Sequence, residues 1–418
     1  MSTHPLMTTY KRSATAFEQG KGAWLFDIDG NKYLDLLSGI AVCGLGHCHP
    51  AVTKAICDQA GRLIHTSNLY SVPLQTQLAQ LLTEISGMDN VFFANSGAEA
   101  NEAAIKLARL YGRQKGIQTP TIIVMEGAFH GRTMATLTAT GNRKAQAGFE
   151  PLLSGFVRAP YNDLEALESI ARNNPDVVAV LVEPIQGEGG IIIPDDNYLP
   201  GIRKICDKND WLMMLDEVQT GNGRTGQYFA YQHYDLLPDV VTTAKGLGNG
   251  FPIGACLARA EAAALFQPGH HASTFGGTPL GCAAALATVQ TIVQQQLPKR
   301  AEELGNKMRE QFTEHLKFAH YVKEVRGKGL MIGIELSEPC SELPELAKAK
   351  GVLLNVTGNN CIRLLPPLIL SDEEAELAIN AVSRMIKVLA GDDRQRERRT
   401  QPREGSTDRR KLLNKTDE

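Results

Sequence analysis

Short apolar runs alternate with amphipathic segments through the middle of the chain. The runs at residues 91–94, 121–125, 177–182, 211–215 and 240–243 have the length and apolar character of buried strands. Segments with apolar positions three and four residues apart separate them, so strands and helices alternate from about residue 90 to 280. This alternation predicts an α/β fold in which helices cover both faces of a mostly parallel sheet.

The two ends of the chain have a different pattern of apolar and polar residues. Residues 22–36 predict a β-hairpin, and the glycine-rich residues 38–50 predict a loop without regular periodicity. After residue 297 come a charged helix, strand-like segments at 330–335, 352–356 and 361–365, and an amphipathic helix at 372–389. These segments predict a second, smaller α+β unit.

The change in pattern predicts the domain boundaries. We assign residues 1–60 and 297–390 to a small domain and residues 61–296 to a large one. Residues 391–418 are rich in charged side chains and almost lack large apolar ones, so they predict a disordered tail.

Composition excludes several classes of function. Hydrophobic residues make up 43% of the chain and the net charge is −3, so no nucleic-acid or membrane partner is expected. No apolar run approaches the ~18 residues of a membrane span. Eight cysteines without paired spacing are typical of a reducing compartment, which predicts a cytoplasmic protein. The adjacent His47, Cys48 and His49 suggest a metal, but neighbouring residues rarely converge on one ion, so we expect none.

Two predicted strands end on residues with distinctive chemistry. The run at 211–215 leads to Asp216 and Glu217, and the run at 240–243 leads to Lys245 in a glycine-rich turn. A lysine can hold the aldehyde of pyridoxal phosphate as a Schiff base, and a buried acid can keep its pyridine nitrogen protonated. Taken alone, these residues fit equally well an α/β core with ordinary charged strand ends.

Two other junctions add candidate ligand contacts. Ser96 and Glu99 have capping-box spacing in a turn of small residues before a helix, where free N–H groups can bind phosphate. Phe129 and Arg132 follow the strand at 121–125, where an aromatic ring can stack on a ligand and a guanidinium can bind a carboxylate. The alternatives are an ordinary capped helix, a core phenylalanine and a solvated arginine.

The chain resembles the class III (ω-amino acid) aminotransferases, which are pyridoxal-phosphate enzymes of fold type I. The resemblance covers about residues 10–390, and its motifs occur together and in order. They are GIAVCGLGHCHP from Gly39, NSGAEAN from Asn95, GAFHGRT from Gly127, VEPIQGEGG from Val182, LDEVQTGNGRTG from Leu215, TTAKGLGNGFPIGA from Thr242, STFGG from Ser273 and IRLLPPL from Ile362. The resemblance implies a large domain around a mostly parallel, seven-stranded sheet and a smaller α+β domain.

The resemblance also implies a role for individual residues. Lys245 would be the Schiff-base lysine and the acid/base of the proton shift, and Asp216 would pair with the pyridine nitrogen. The implied cofactor contacts are Ser96, Gly97, Ala98, Phe129, Val218, Gln219 and, from a neighbouring subunit, Thr274. The implied substrate contacts are Arg132, Glu188, Ser273 and Arg363. A site completed across subunits implies a homodimer.

The implied reaction is an amino-group transfer from N-acetylornithine to 2-oxoglutarate. Its products would be N-acetylglutamate semialdehyde and glutamate, in arginine biosynthesis. Ornithine, succinylornithine and succinyldiaminopimelate are alternative donors. A catalytically idle pyridoxal-phosphate-binding protein on the same fold is the alternative of another class.

Overall fold

The computed structural model describes residues 5–400, with side chains up to residue 389. Within this range the strands form three sheets. The strands are β1 Phe17–Lys21, β2 Trp24–Asp27, β3 Lys32–Asp35, β4 Asn90–Ala94, β5 Thr121–Met125, β6 Phe156–Ala159, β7 Val177–Val182, β8 Leu212–Asp216, β9 Val240–Thr243, β10 Gly254–Ala258, β11 Val322–Lys328, β12 Met331–Leu336, β13 Val352–Leu353, β14 Asn355–Thr357 and β15 Cys361–Leu364.

Helices alternate with these strands through the middle of the chain and predominate toward its end. The α-helices longer than one turn are Pro50–Ala60, Pro73–Ser86, Gly97–Gln114, Met134–Ala139, Leu164–Asn173, Tyr198–Asn209, Pro279–Gln294, Leu297–Leu316, Leu343–Lys348 and Asp372–Thr400. Single turns of helix lie at Arg143–Gln146, Ala230–His233, Lys245–Leu247 and Ala260–Ala263.

The central sheet has seven strands in the order β4-β10-β9-β8-β7-β5-β6. The strands from β5 to β9 pair in parallel, whereas β10 is antiparallel to both of its neighbours. Strand β7, VVAVLV, is buried along its whole length, as expected for a parallel strand covered on both faces. The predicted α/β fold with a mostly parallel sheet is confirmed.

The order of the strands explains where the candidate site lies. Asp216 is the last residue of β8 and pairs with Thr242 of the adjacent strand β9. Lys245 follows the end of β9 by two residues. Both side chains therefore lie at the carboxyl edge of the sheet, where α/β folds place their ligands.

Two four-stranded sheets, β1-β2-β3-β13 and β11-β12-β15-β14, flank the central one. The predicted hairpin at 22–36 is confirmed as β2 and β3. The prediction of one strand at 352–356 is wrong, because β13 pairs with β3 while β14 pairs with β15. The buried Leu354 separates them at the point where the chain passes from one sheet to the other. The domain boundaries at residues 60, 296 and 390 stay predictions.

The final helix continues beyond the point where the sequence predicts the tail to begin. Within the described part it extends to Thr400, and residues 401–418 lie outside that part. No helix within residues 5–400 is long and apolar enough to cross a membrane.

The predicted loop after β3 contains a left-handed turn. The four residues Ser38–Ala41 have φ values of 51°, 66°, 68° and 60°. The conformation is costly for the β-branched Ile40, so surrounding contacts must maintain it. Asp35 accepts two backbone N–H groups at the start of the turn and lies 2.8 Å from Nε2 of His47. This hydrogen bond raises the pKa of His47 to about 10, so His47 and Asp35 form an ion pair beneath the turn.

Candidate active site

A cavity of about 400 Å³ opens at the carboxyl edge of the central sheet. It brings together residues that are distant in sequence, and most of the predicted site residues line it. These are Ser96, Gly97, Ala98, Phe129, Arg132, Asp216, Val218, Gln219 and Lys245.

Asp216 is buried and held by three donors. The side-chain amide of Asn101 donates to its Oδ2 at 2.7 Å, and Nδ1 of His130 lies 2.7 Å from the same oxygen. The backbone N–H of Val218 donates to Oδ1 at 3.0 Å. The carboxylate is therefore fixed in one orientation at the cavity wall, and a cationic ring nitrogen placed there would find a preorganised acceptor.

Two residues in this network were not among the predicted site residues. Asn101 also donates to the carbonyl oxygen of His130 and accepts the hydroxyl of Thr242 at 2.6 Å, so it joins the helix after the capped turn to strand β9. Nε2 of His130 is buried without a partner among the described residues. His130 adjoins Phe129 in the GAFHGRT motif and could have been found there. Asn101 ends the NSGAEAN motif and could likewise have been found there.

Lys245 lies at the floor of the cavity in a strained backbone conformation. Its φ of 47° is uncommon for a residue with a side chain. Asn222 holds the preceding turn, since its amide donates to the Thr243 hydroxyl at 3.0 Å and to the Ala244 carbonyl at 3.1 Å. Burial lowers the pKa of Lys245 to about 8, although the nearby Glu188 opposes the shift. The amine is therefore far more available as a free base than an exposed lysine.

The helix Gly97–Gln114 begins at the cavity. Ser96 caps it by accepting the N–H of Glu99 at 3.2 Å, while Glu99 accepts the N–H of Asn95 at 2.6 Å. The first N–H groups of the helix, at Gly97 and Ala98, have no partner inside the helix. A side chain at Gly97 would place its Cβ only 2.7 Å from Val218, so this close approach requires glycine. The helix end can therefore bind an anion such as phosphate.

Phe129 and Arg132 lie on another side of the cavity. The guanidinium carbon of Arg132 is 5.6 Å from the centre of the Phe129 ring, and Arg132 is exposed without an ion pair among the described residues. The N–H of Phe129 donates to the buried carboxyl of Glu183 at 3.0 Å. Burial raises the pKa of Glu183 well above its usual range, and the nearby Asp216 adds to the shift. Glu183 was not predicted, although it ends a buried strand as Asp216 does.

Arg363 and Glu188 meet beside the cavity. Arg363 is fully buried on β15, and its Nη1 lies 2.6 Å from Oε1 of Glu188 and 3.3 Å from Oε1 of Gln219. Its Nη2 is buried without a partner within the described chain. Burial alone would raise the pKa of Glu188, but the charge and hydrogen bond of Arg363, together with Lys245 and Gln219, lower it overall. A buried arginine with spare donor capacity can accept a second carboxylate.

The two remaining predicted residues lie outside the cavity lining. The hydroxyl of Ser273 accepts hydrogen bonds from the side chain of Asn95 at 3.1 Å and from the N–H of Gly276 at 3.0 Å. Thr274 is exposed. Its predicted contact is with the site of a neighbouring subunit, and this stays a prediction.

The cavity fits pyridoxal phosphate on its own chemistry. It joins a lysine whose pKa is lowered, a fixed carboxylate and a helix end with unpaired N–H groups, which match the aldehyde, the ring nitrogen and the phosphate. Lys245 is the only lysine among the described residues that line it.

Comparisons with known proteins agree with this fit. The family profile described as aminotransferase class-III matches residues 8–386. The chain is 59% identical over 381 residues to an acetylornithine aminotransferase of Nitrosomonas europaea. The aligned region covers 91% of this chain and 97% of that protein. A Toxoplasma gondii ornithine aminotransferase with partial occupancy of PLP at its active site has a TM-score of 0.89 and 34% identity, over 94% of each chain. An acetylornithine aminotransferase of Elizabethkingia anophelis has a TM-score of 0.81 and 35% identity, over 91% of this chain and 95% of that one.

Proposed function

Because this chain belongs to the class III aminotransferases, which use pyridoxal phosphate, we propose that it moves the δ-amino group of N-acetylornithine to 2-oxoglutarate. The observation that carries the proposal is the pairing of Arg363 with Glu188 beside Lys245. The relatives named acetylornithine aminotransferase support the choice of donor.

The proposed chemistry assigns the proton movements to Lys245. Bound pyridoxal phosphate would supply an aldehyde and a protonated ring that stores the negative charge of the reaction. Nζ of Lys245 takes the proton from the substrate carbon that carries the amino group and later returns one. Asp216 would hold the ring nitrogen protonated, Val218 and Phe129 would enclose the ring, and Gln219 would contact its phenolic oxygen.

The pocket must accept two substrates whose carboxylates lie at different distances from the reacting amine. We assign the distal carboxylate of either substrate to the exposed Arg132. Arg363 would hold the carboxylate next to the reacting carbon in glutamate, which N-acetylornithine lacks at that position. During the donor half-reaction Glu188 would neutralise Arg363, so that the donor does not bind in the reverse orientation.

A panel of amino donors tests the proposed function. The protein is supplied with pyridoxal phosphate and 2-oxoglutarate, and glutamate is measured with N-acetylornithine, ornithine, succinylornithine and succinyldiaminopimelate. We expect the highest kcat/KM with N-acetylornithine. A higher value with another donor would reassign the substrate, and the absence of glutamate with all four would favour a non-catalytic binding protein.

A homodimer in the cytoplasm completes the proposal. Leu69, Tyr70 and Phe275 are large, exposed and apolar, and they lie on the segments that carry Asn68 and Ser273, which are joined by a hydrogen bond. A second copy covering this face would bring its Thr274 to the phosphate end of the site. All eight cysteines are free, which supports a reducing compartment.

The pKa of Lys245 predicts how the cofactor-free protein captures pyridoxal phosphate. Only the neutral amine attacks an aldehyde, so the capture rate should rise with pH and level off above about 8. Below that value we expect about a tenfold fall for each pH unit. Stopped-flow absorbance at fixed cofactor concentration measures the profile. A rate that still climbs toward the ordinary lysine pKa of 10.5 would contradict the assignment.

The proposed role of Glu188 predicts unequal effects on the two half-reactions. In Glu188→Ala, Arg363 is permanently available, so the rate of the glutamate half relative to the acetylornithine half should rise about tenfold. Glu188→Gln keeps a hydrogen-bonding group without the charge and should give an intermediate ratio. Single-turnover spectroscopy of each half measures the effect. Equal loss in both halves would exclude this role for Glu188.

A further inference from the structure

The turn that carries Glu188 is tied to the sheet of Arg363 through its backbone. The hydroxyl of Thr357 donates to the carbonyl oxygen of Glu188. Beyond Gly189, the carbonyls of Gly190 and Ile191 accept hydrogen bonds from Nη2 and Nε of Arg326 at 2.7 and 2.8 Å. The backbone on both sides of Gly189 is therefore anchored, and the glycines do not leave the turn free to swing.

Arg326 is itself held in place. Its Nη1 lies 2.7 Å from a carboxylate oxygen of Glu324 and 2.6 Å from one of Glu335, and its side chain is 11% exposed. One edge of the planar guanidinium, Nε and Nη2, thus donates to two backbone carbonyls, and the remaining nitrogen, Nη1, pairs with two carboxylates. A lysine has a single nitrogen and cannot reproduce this geometry.

The register of the sheet places both arginines in one row. Arg326 of β11 pairs with Gly333 of β12, and Gly333 pairs with Arg363 of β15. Residues that pair directly across strands share a face of the sheet, so the two arginines lie on the same face with a glycine between them. A Cβ at Gly333 would lie 3.0 Å from Cβ of Ile191. Because Gly333 has no side chain, Ile191 of the turn can lie against the sheet between the two arginines.

We propose that Arg326 is a positioning residue that sets how strongly Glu188 masks Arg363. Arg363 binds the side chain of Glu188, while Arg326 binds the backbone just beyond it, so one sheet holds both partners of the ion pair. Release of Arg363 is then a rotation of the Glu188 side chain over a stationary backbone. This inference rests on the proposed function, because it presumes that Glu188 alternates between the two half-reactions.

The test compares half-reactions in the full-length protein with pyridoxal phosphate bound. Arg326→Lys keeps the charge but loses the paired hydrogen bonds, and Thr357→Val removes the other tether with little change in shape. In both variants we expect the rate of the glutamate half-reaction, relative to that of the acetylornithine half-reaction, to rise about threefold. This is the size of effect expected when two contacting groups are energetically coupled. Lys323→Met is the matched control, because Lys323 also pairs with Glu335, at 3.6 Å, and within the described chain makes no hydrogen bond or ion pair with the turn. The control should leave the ratio unchanged.

Combining each change with Glu188→Ala separates positioning from general loss of structure. If Arg326 acts through Glu188, Arg326→Lys should not alter the ratio further once the Glu188 carboxylate is absent. The inference is overturned if Arg326→Lys and Thr357→Val leave the ratio unchanged while Glu188→Ala shifts it. It is also overturned if Arg326→Lys shifts the ratio equally in both backgrounds. An unchanged ratio in the single variant Glu188→Ala would instead show that Glu188 does not mask Arg363, and that part of the proposed function would be wrong.

Discussion

Lys245→Ala should abolish transamination while the protein still folds and binds pyridoxal phosphate without a covalent bond. Lys245 is the only lysine among the described residues that line the cavity, and its lowered pKa of about 8 increases the fraction of neutral amine that can take up a proton. Alanine removes both the covalent attachment and the proton carrier. We expect kcat to fall at least about a thousandfold, near the upper range for the loss of a general acid–base group.

The measurement combines turnover with identification of the attached residue. Borohydride treatment of the loaded protein should fix the cofactor on the peptide that contains Lys245, as read by mass spectrometry, and the alanine variant should lose this adduct. Lys208→Ala, at an exposed lysine, serves as the control and should keep both the adduct and the activity. Retention of even about a tenth of the activity in Lys245→Ala would disprove the assignment.

The position of the site could be predicted from the sequence because its two main groups end buried strands. Parallel strands in an α/β sheet are continuous apolar runs, and their carboxyl ends meet at one edge. The end of β8 at Asp216 and the position of Lys245 just after β9 could therefore be predicted without knowledge of tertiary contacts. A different local signal, the capping-box spacing of Ser96 and Glu99, predicted the capped helix start at Ser96.

Contacts that depend on tertiary register could not be predicted in this way. Arg363 and Glu188 are 175 residues apart, and nothing in the local pattern of either segment indicates that they pair. The resemblance to a family implied that both residues contact the substrate. Likewise, Asn101 reaches Asp216 only because the helix packs over the end of β8.

The pattern of apolar and polar residues also could not predict backbone features that tertiary packing determines. The left-handed conformation of Ile40 opposes the local preference of a β-branched residue, and the turn is stabilised by Asp35. The segment at 352–356 has the composition of one strand but is divided between two sheets. In both places tertiary contacts override a local preference that the sequence does express.

Asp216→Asn should bind pyridoxal phosphate but lose about a hundredfold or more in kcat, as expected when a preorganised electrostatic contact is removed. The amide has nearly the same shape but only one acceptor oxygen, so it can keep the hydrogen bond from the Val218 N–H and loses the one from the Asn101 amide. We still expect the variant to fold. It has no negative charge, however, and cannot hold the ring nitrogen protonated. Both half-reactions should slow together, because both require the ring to accept electrons.

Glu217→Gln is the matched control for this loss of charge. Glu217 is the next residue, is completely buried and does not line the cavity, and burial raises its pKa to about 7. Its two carboxylate oxygens accept hydrogen bonds from the Thr220 hydroxyl and from the Tyr231 N–H. The amide oxygen of glutamine can accept the Tyr231 N–H, and its NH2 group can donate to the Thr220 hydroxyl, which is also an acceptor. The control should therefore keep kcat within about threefold of the parent. Similar losses of kcat in the two variants would mean that Asp216 acts through the stability of the strand end. A loss in Asp216→Asn alone, equal in both half-reactions, is the result expected of a carboxylate that pairs with the cofactor ring.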